Sequence, residues 1–406
     1  MMYHTILCRY NEIATKGNNR SMFENCLIEN LRYSCGKVCP CKVSKMRGRI
    51  LIRKSDESEF SAEETELISE RLKKCFGLDS FSFCLVGEVS MESVKSMVEQ
   101  SAVPYFQKVL SEVSANGVVE FRTRARRSNK AFPLDSKGIE IEIATLIESL
   151  IGADRVKVNL ENPQISIGIE IREHHSLVYY ETIKAAGGLP VGCNAPALAL
   201  LSGGIDSPVA CNMVMKRGCH VDYLTFHSFP YTPMESVDKV RRLAEKINLW
   251  QRSAVFYACN ISEIQKLIRD NCKPKYRTVL YRRMMMRIAA MICDQKKLSA
   301  IITGESVGQV ASQTVENMTV VDKTTPYLVI RPLCGLDKNE TIERARKLDT
   351  FDISIEPMAD SCTVFAPNAP VLHAKLEDVE YEESRIPGLQ EALENTFNSI
   401  EKIHLI

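Results

Sequence analysis

The chain has 406 residues, 45% hydrophobic and 25% charged, with a formal net charge of +1. That length accommodates two or three domains with cores of their own, and the near-neutral balance excludes a disordered or globally polybasic protein, so any nucleic-acid surface must be a local patch. No apolar run reaches spanning length and no secretory segment follows Met1, so a cytoplasmic chain without a membrane partner is expected. The fifteen cysteines are odd in number and scattered through apolar segments, which points to reduced thiols that mostly fill cores. Cys39-Pro40-Cys41 is the one close pair and no Cys-x-x-Cys occurs, so neither a zinc nor an iron–sulfur site is expected.

Residues 1–77 read as a small ferredoxin-like α/β domain. A strand is predicted over 4–9 and a helix over 18–35, with Phe23, Leu27 and Leu31 at helical spacing. Arg47-Gly48-Arg49 then leads into a strand at 50–52, and a second helix over 62–76 stops at Gly77.

Residues 78–183 form the second domain. A strand at 81–86 precedes a helix over 91–109 that Pro104 is expected to interrupt. In 118–127, Arg122, Arg124 and Arg126 alternate with small residues, so a strand would set three guanidinium groups on one face. From 119 to 137 six Lys or Arg stand against two Asp or Glu, with Arg127 and Lys130 among them. Charge alone leaves a solvated strand face and a contact with a phosphate backbone equally open. Asp135 offers a cap to a helix carrying Ile139, Ile143, Ile147 and Ile151 and ending at Gly152. Strands at 156–160, 165–171 and 176–181 complete the domain, the last two turning at Glu173-His174-His175.

The Gly- and Pro-rich stretch 184–192 reads as a linker. Beyond it, strands at 197–201, 220–226, 253–258 and 300–303 alternate with helices at 210–217, 234–247, 261–271 and 279–295. This pattern predicts a Rossmann-like parallel sheet over 184–406 with its ligand at the carboxyl ends of the strands. At the first of those ends lies Ser202-Gly203-Gly204-Ile205-Asp206-Ser207-Pro208. Two glycines flanked by serines before a helix can turn N–H groups toward a phosphate, and Pro208 suits the first helical position. The loop lacks a Walker lysine and the third glycine of a dinucleotide fingerprint. Two more segments fall where a ligand is expected. In 303–313, Gly304 would let backbone approach a ligand and Gln313 could read a base or ribose edge. In 359–370, Cys362 sits in a proline-bearing loop, where exposure favours thiolate chemistry and a bland loop thiol is equally open.

The SGGIDSPVA loop resembles the pyrophosphatase loop (PP-loop) of enzymes that cleave ATP between the α and β phosphates. With GESVGQVASQT, Leu336-Asp337-Lys338, DSCTVFAP and a THUMP-like FRTRARRSNKAFPLDS, the chain resembles, over its whole length, the tRNA 4-thiouridine synthetases that lack a C-terminal rhodanese domain. The resemblance implies that ATP, with Mg²⁺, adenylates O4 of uridine 8 of tRNA, releasing pyrophosphate, and that a cysteine persulfide delivers sulfur to C4 as AMP leaves. It implies Asp206 and Lys338 as adenylation residues and Cys362 as the persulfide carrier. Leu200, Leu201, Ser202, Gly203, Gly204, Ser207, Thr225, Phe226, Arg282, Gly304 and Gln313 would contact ATP. Arg122, Arg124, Arg126, Arg127 and Lys130 would contact tRNA. Cys219 is a candidate resolving thiol, though a core cysteine is the plainer reading. A cysteine desulfurase would load Cys362 directly, a homodimer is implied, and a role in forming the thiamine thiazole is not expected without the rhodanese domain. The rival readings are another PP-loop enzyme, of the lysidine, 2-thiolation or amidotransferase type, and a non-catalytic RNA-binding protein that retains a nucleotide fold.

Overall fold

The computed structural model describes residues 3–46, 48–111, 117–358 and 364–406. Arg47 of the basic turn, and Cys362 with its neighbours 359–363, lie outside the described residues. The chain divides into two units, Met1–Gly188 and Leu189–Ile406. No helix among the described residues is long and apolar enough to cross a membrane.

The first unit opens with strand β1 (Thr5–Arg9), helix α1 (Arg20–Gly36), the hairpin β2 (Cys41–Met46) and β3 (Arg49–Lys54), helix α2 (Ala62–Lys73) and strand β4 (Ser80–Gly87). Phe23, Leu27 and Leu31 are buried on α1 as their spacing predicts. Ser61 and Glu64 close a capping box at the start of α2. There follow α3 (Met91–Leu110), β5 (Val119–Arg127), α4 (Ser136–Ile151), β6 (Val156–Val158), β7 (Ile165–Ile171), β8 (Ser176–Tyr179) and the short β9 (Ile183–Lys184). Pro104 does not interrupt α3: the helix runs through it, with Val94, Met97 and Val98 before it and Phe106 after it buried in one cluster. That packing on both sides carries the helix across the backbone hydrogen bond proline cannot make. The sheet order is β2-β3-β1-β4-β8-β7-β5-β6, with β9 also on β4. Because β4 pairs with both β1 and β8, residues 1–77 and 78–183 share one continuous sheet.

In the second unit, β10 (Leu189–Leu200), α5 (Asp206–Met215), β11 (Arg217–His227), α6 (Glu235–Asn248), β12 (Ala254–Asn260), α7 (Ser262–Asn271), α8 (Arg277–Lys296) and β13 (Ala300–Ile302) follow the predicted alternation. Then come α9 (Val315–Asp322), β14 (Leu328–Ile330), α10 (Lys338–Lys347), α11 (Phe351–Ser354), α12 (Leu376–Ser384), α13 (Leu389–Asn398) and β15 (Glu401–Leu405). The order β14-β13-β10-β11-β12-β15 is parallel apart from β15, which lies antiparallel on β12. Strand β10 therefore has its successor β11 on one side and the later β13 on the other, the reversal that opens a crevice at its carboxyl end.

Two local expectations change. Helix α5 begins at Asp206, so Pro208 is its third residue rather than its first. The first four N–H groups of a helix lack intrahelical acceptors, so proline is tolerated there too. The stretch 184–192 does carry the boundary between the units, yet it is hydrogen-bonded on either side of it and not loose. Lys184 pairs with Ser80, Gly187 N–H donates to the Leu78 carbonyl, and Leu189 N–H donates to Lys216. Gly187 and Gly188, with φ of +66° and +74°, make the turn between the units in a conformation costly for any side chain.

Candidate active site

The parallel strands of the second unit end at a cavity of about 680 Å³, within the range of small-molecule and cofactor sites. Leu200 and Leu201 at the end of β10, Thr225 and Phe226 at the end of β11, and Gly304 and Glu305 after β13 all line it. The loop between β10 and α5 forms its floor and is held by its own serines. Ser202 N–H donates to Ser207 Oγ at 2.9 Å, the two hydroxyls stand 3.1 Å apart, and Gly204 N–H reaches Ser202 Oγ at 3.4 Å. The N–H groups of the first turn of α5 lack intrahelical acceptors, and Asp206 and Ser207 of that turn line the cavity.

Asp206 and Lys338, 132 positions apart, meet at this floor: Lys338 Nζ lies 2.7 Å from Asp206 Oδ1. Gln309 Nε2 donates to the other carboxylate oxygen at 2.8 Å. Lys338 is the first residue of α10, whose start is fixed by an Asp337–Glu340 capping box. With side chains 45% and 21% exposed, the ion pair contributes only about 0–1 kcal/mol. Such a pair is parted at little cost.

Gly304 does approach something closely, but it is the loop. A Cβ at Gly304 would stand 2.6 Å from Ser207 N, 2.7 Å from Ser207 Cα and 2.9 Å from Asp206 C. Strand β13 thus presses backbone against backbone on the start of α5. Gln313 lines the cavity while its side-chain oxygen accepts from Ser306 N–H at 3.4 Å. Arg282 is occupied in the wall: Nη1 donates to the Ser312 carbonyl at 3.0 Å and Nη2 pairs with Glu305.

Arg331, Lys239 and the 354–358 segment carry no motif, and Glu305, although inside GESVGQVASQT, is given no role by the sequence. Glu305 is buried, taking Arg282 on one oxygen and Arg331, 2.7 Å away, on the other with Thr303 Oγ1 at 2.9 Å. Burial pushes its carboxyl up, but the two guanidinium groups outweigh this and hold it below the usual glutamate value. Lys239 lies buried beside Gly203 and donates to the carbonyls of Ser354 at 2.9 Å and Glu356 at 2.7 Å. Arg242 holds the Glu356 carboxylate at 2.9 Å. These contacts bring Ser354, Glu356, Pro357 and Met358 onto the cavity wall. The only signal was indirect: Lys239 lies on the polar-flanked α6, at a position its helical spacing buries.

Cys219 is not brought to the cavity. It lies near the start of β11, six residues and roughly 20 Å of strand before Thr225, half-buried, with its thiol pushed up by burial. Among the described residues no group of three or more His, Cys, Asp or Glu side chains could hold a metal ion.

In the first unit, β5 alternates as predicted: Val119, Phe121, Thr123 and Ala125 are buried, and Arg124 and Arg126 are exposed. The five basic candidates are not equivalent. Arg122 donates to Ser166 Oγ and the Leu160 carbonyl, both at 3.0 Å. Arg127 is spent on the carbonyls of Phe132 and Leu134, at 2.9 and 3.0 Å, and so braces the loop before α4 instead of facing solvent. Arg124, Arg126 and Lys130 remain exposed. In register with Arg126 on β7 is Glu170, fully buried, on which Arg9, Arg49 and Arg172 converge. Burial raises the Glu170 carboxyl, the three arginines lower it further, and the net direction is down. Three cations to one anion leave this cluster with a net positive charge.

Comparison with known proteins gives three family matches: a thiamine biosynthesis protein (ThiI) model over residues 192–387, a ThiI ferredoxin-like domain over 5–82 and a THUMP domain over 88–181. A probable tRNA sulfurtransferase of Halothermothrix orenii is 38% identical over 403 residues, covering 97% of this chain and 98% of its own. One from a Thermoanaerobacter species is 37% identical, covering 93% and 94%. The crystal structure of a 4-thiouridine synthetase–RNA complex with bound ATP superposes with a TM-score of 0.88 at 32% identity, covering all of both chains.

Two outcomes test the geometry. Gly304→Ala forces β13 away from the loop, since backbone atoms cannot yield as a flexible side chain would, and is expected to weaken nucleotide binding about tenfold or more and stability by about 1–3 kcal/mol; equilibrium dialysis and thermal unfolding read both. Glu305 has a folded-state pKa below its unfolded value of about 4.3, so its stabilisation is complete above that pH and drains as pH falls through the lower value. The stability gap between wild type and Glu305→Gln, about 3–5 kcal/mol near neutrality, should therefore shrink on acidification, in denaturant titrations followed by Trp250, the single tryptophan.

Proposed function

We propose, from the premise that this chain belongs to the ThiI family, that it is an ATP-dependent tRNA sulfurtransferase that converts uridine 8 of tRNA to 4-thiouridine. The observation that carries the reading is the meeting of Asp206 and Lys338 on a serine-laced loop at the switch point of a parallel sheet. The geometry suits release of pyrophosphate. Uridine O4 attacks the α-phosphorus, the bond to the β-phosphate oxygen breaks, and negative charge grows on the leaving group. Loop N–H groups and the N-terminus of α5 are the fixed donors for that charge, and the Lys338 ammonium is the mobile one. An ion arriving with ATP fits better than a resident metal, because Asp206 is the loop's carboxylate and both its oxygens already have partners. Such Mg²⁺ would supply further neutralisation of the phosphates.

Cys362 is the proposed sulfur carrier, loaded as a persulfide by a cysteine desulfurase. Its terminal sulfur attacks C4, the bond from C4 to the adenylated oxygen breaks, and AMP leaves. A second thiol then opens the remaining sulfur–sulfur bond. Support comes from the flanks: Met358, four positions before Cys362, lines the cavity, and Phe365, three positions after it, packs on Tyr231. The tRNA is held through the first unit, by Arg124, Arg126 and Lys130 in first place. Work as a homodimer in the cytoplasm belongs to the same reading. A catalytic role is favoured over a bare RNA-binding one because the loop, Asp206 and Lys338 keep an arrangement that RNA binding alone does not require.

Incubation of unmodified tRNA with the protein, ATP, Mg²⁺, a cysteine desulfurase and cysteine should give 4-thiouridine at position 8 by nucleoside analysis. Cys362→Ser should still release pyrophosphate in the presence of tRNA but form no thionucleoside; full thiolation by this variant would refute the assignment. The double variant Arg124→Ala, Arg126→Ala should weaken tRNA binding and lower the slope of log affinity against log salt by about two, measured by filter binding. An unchanged slope would put the RNA elsewhere.

A further inference from the structure

One aromatic cluster beside the cavity has no part in the chemistry above. The loop 228–234 joins two cavity-lining positions, Phe226 on β11 and Ser236 on α6. It leaves Phe229 and Tyr231 49% and 44% exposed. The Tyr231 ring meets Phe365 edge-on, with centroids 4.9 Å apart at 67°. Arg269 on α7 covers the Phe365 ring at 4.7 Å, and Lys266, one turn earlier, stands 5.7 Å from the Tyr231 centroid. Each cation also has an acidic neighbour, Glu263 and Asp270, at 2.7 Å. The cluster therefore offers aromatic surface more than net charge. On the cavity wall, Thr278, Tyr281, Arg282, Met285 and Met286 form one stripe of α8. Tyr281 is 2% exposed, and its hydroxyl has no hydrogen-bond partner among the described residues. Burial pushes this phenol up to about 12, against the opposing pull of Arg277 and Arg269 nearby. It is thus an O–H donor at any working pH, and a buried donor without an acceptor calls for an explanation.

We propose that Tyr231, backed by Phe365 and Arg269, and the Tyr281 hydroxyl form a subsite that takes an unstacked pyrimidine nucleotide of RNA at the edge of the ATP cavity. The proposal rests on the reading that the chain thiolates a tRNA uridine. A base inside a stack cannot present its carbonyl oxygen in line with an α-phosphate, so it must leave the stack, and a ring face offsets that loss. Stacking on an aromatic tolerates any base. Selection then needs a polar contact, and a phenol donor matches a pyrimidine carbonyl oxygen. The same cluster holds Phe365, so the flank of the sulfur-carrying loop and the face for the base are one structure.

The test combines proximity with kinetics. Wild-type protein irradiated with tRNA that already carries 4-thiouridine at position 8, itself a photocrosslinker, should yield an adduct on the peptides containing Tyr231 or Tyr281. An adduct found only elsewhere overturns the subsite. Tyr231→Leu keeps apolar volume without a ring and should lower kcat/KM for tRNA about tenfold, whereas Tyr231→Phe should stay near wild type. Tyr281→Phe should lower kcat/KM by a similar factor with an unchanged or higher melting temperature, because a buried unsatisfied group is removed. ATP affinity without RNA should be unaltered in both Tyr231 variants. Wild-type kinetics in Tyr231→Leu, or a parallel loss of ATP affinity, overturns the proposal. Crosslinking as predicted, with no thiolation of uridine by the wild type, would refute the proposed function while upholding the subsite.

Discussion

The buried carboxylate of Glu305 is the contact on which the site's geometry depends. A charge that far from water is sustained only by full pairing, and here Arg282 from α8, Arg331 from the segment after β14 and Thr303 from the end of β13 supply it. Each of those groups is fixed in turn: Arg331 also grips Asp322 at the end of α9, and Arg282 holds the Ser312 carbonyl. The network sets the height of Gly304, the next residue back, against the loop backbone. The floor of the cavity is therefore supported from below by backbone and from the side by a charge cluster, and the loop's serines need only tie the remaining turn.

Against this rigid base the reactive pair is loose. Asp206 and Lys338 meet in partial solvent, where their attraction is small, so the lysine is positioned by the capping box at the start of α10 and not trapped by its partner. A cation meant to follow charge onto a leaving group works best when little is lost as it moves. The walls show the same division. Lys239 and Arg242 pin the 354–358 segment through backbone carbonyls and a carboxylate, while Phe365, further along the chain, packs on the exposed ring of Tyr231.

Much of the architecture was legible in one dimension because it rests on periodicity. The alternation in β5 put Arg124 and Arg126 outward, Ile139, Ile143 and Ile147 faced one core, and the strand–helix rhythm after residue 189 foretold a parallel sheet and the place of its ligand. What periodicity cannot carry is partnership. Nothing local distinguishes Arg127, consumed by two carbonyls, from Arg124, which is exposed. Gly304 was expected to admit a ligand, yet the atoms it admits belong to Asp206 and Ser207, a hundred residues away in sequence. Pro104 failed to break its helix because tertiary packing held both halves in line. Cys219 follows α5 closely along the chain, but that helix carries the chain back to the amino ends of the parallel strands, and this leaves the thiol at the end of β11 away from the cavity.

The sequence by itself determined the three-part order of the chain and the place of the Ser202–Ser207 loop between a strand and a helix, because both are written in short-range spacing that backbone geometry turns directly into shape. The tertiary structure alone decided that Asp206 and Lys338 touch, that Glu305 underlies them, which arginines of the basic strand stay exposed, and that Tyr231, Tyr281 and Phe365 gather at one rim. Those outcomes depend on which groups meet in the folded chain, at separations from a few residues for Arg127 to 132 for Asp206 and Lys338, where burial and pairing, not spacing, choose the neighbour.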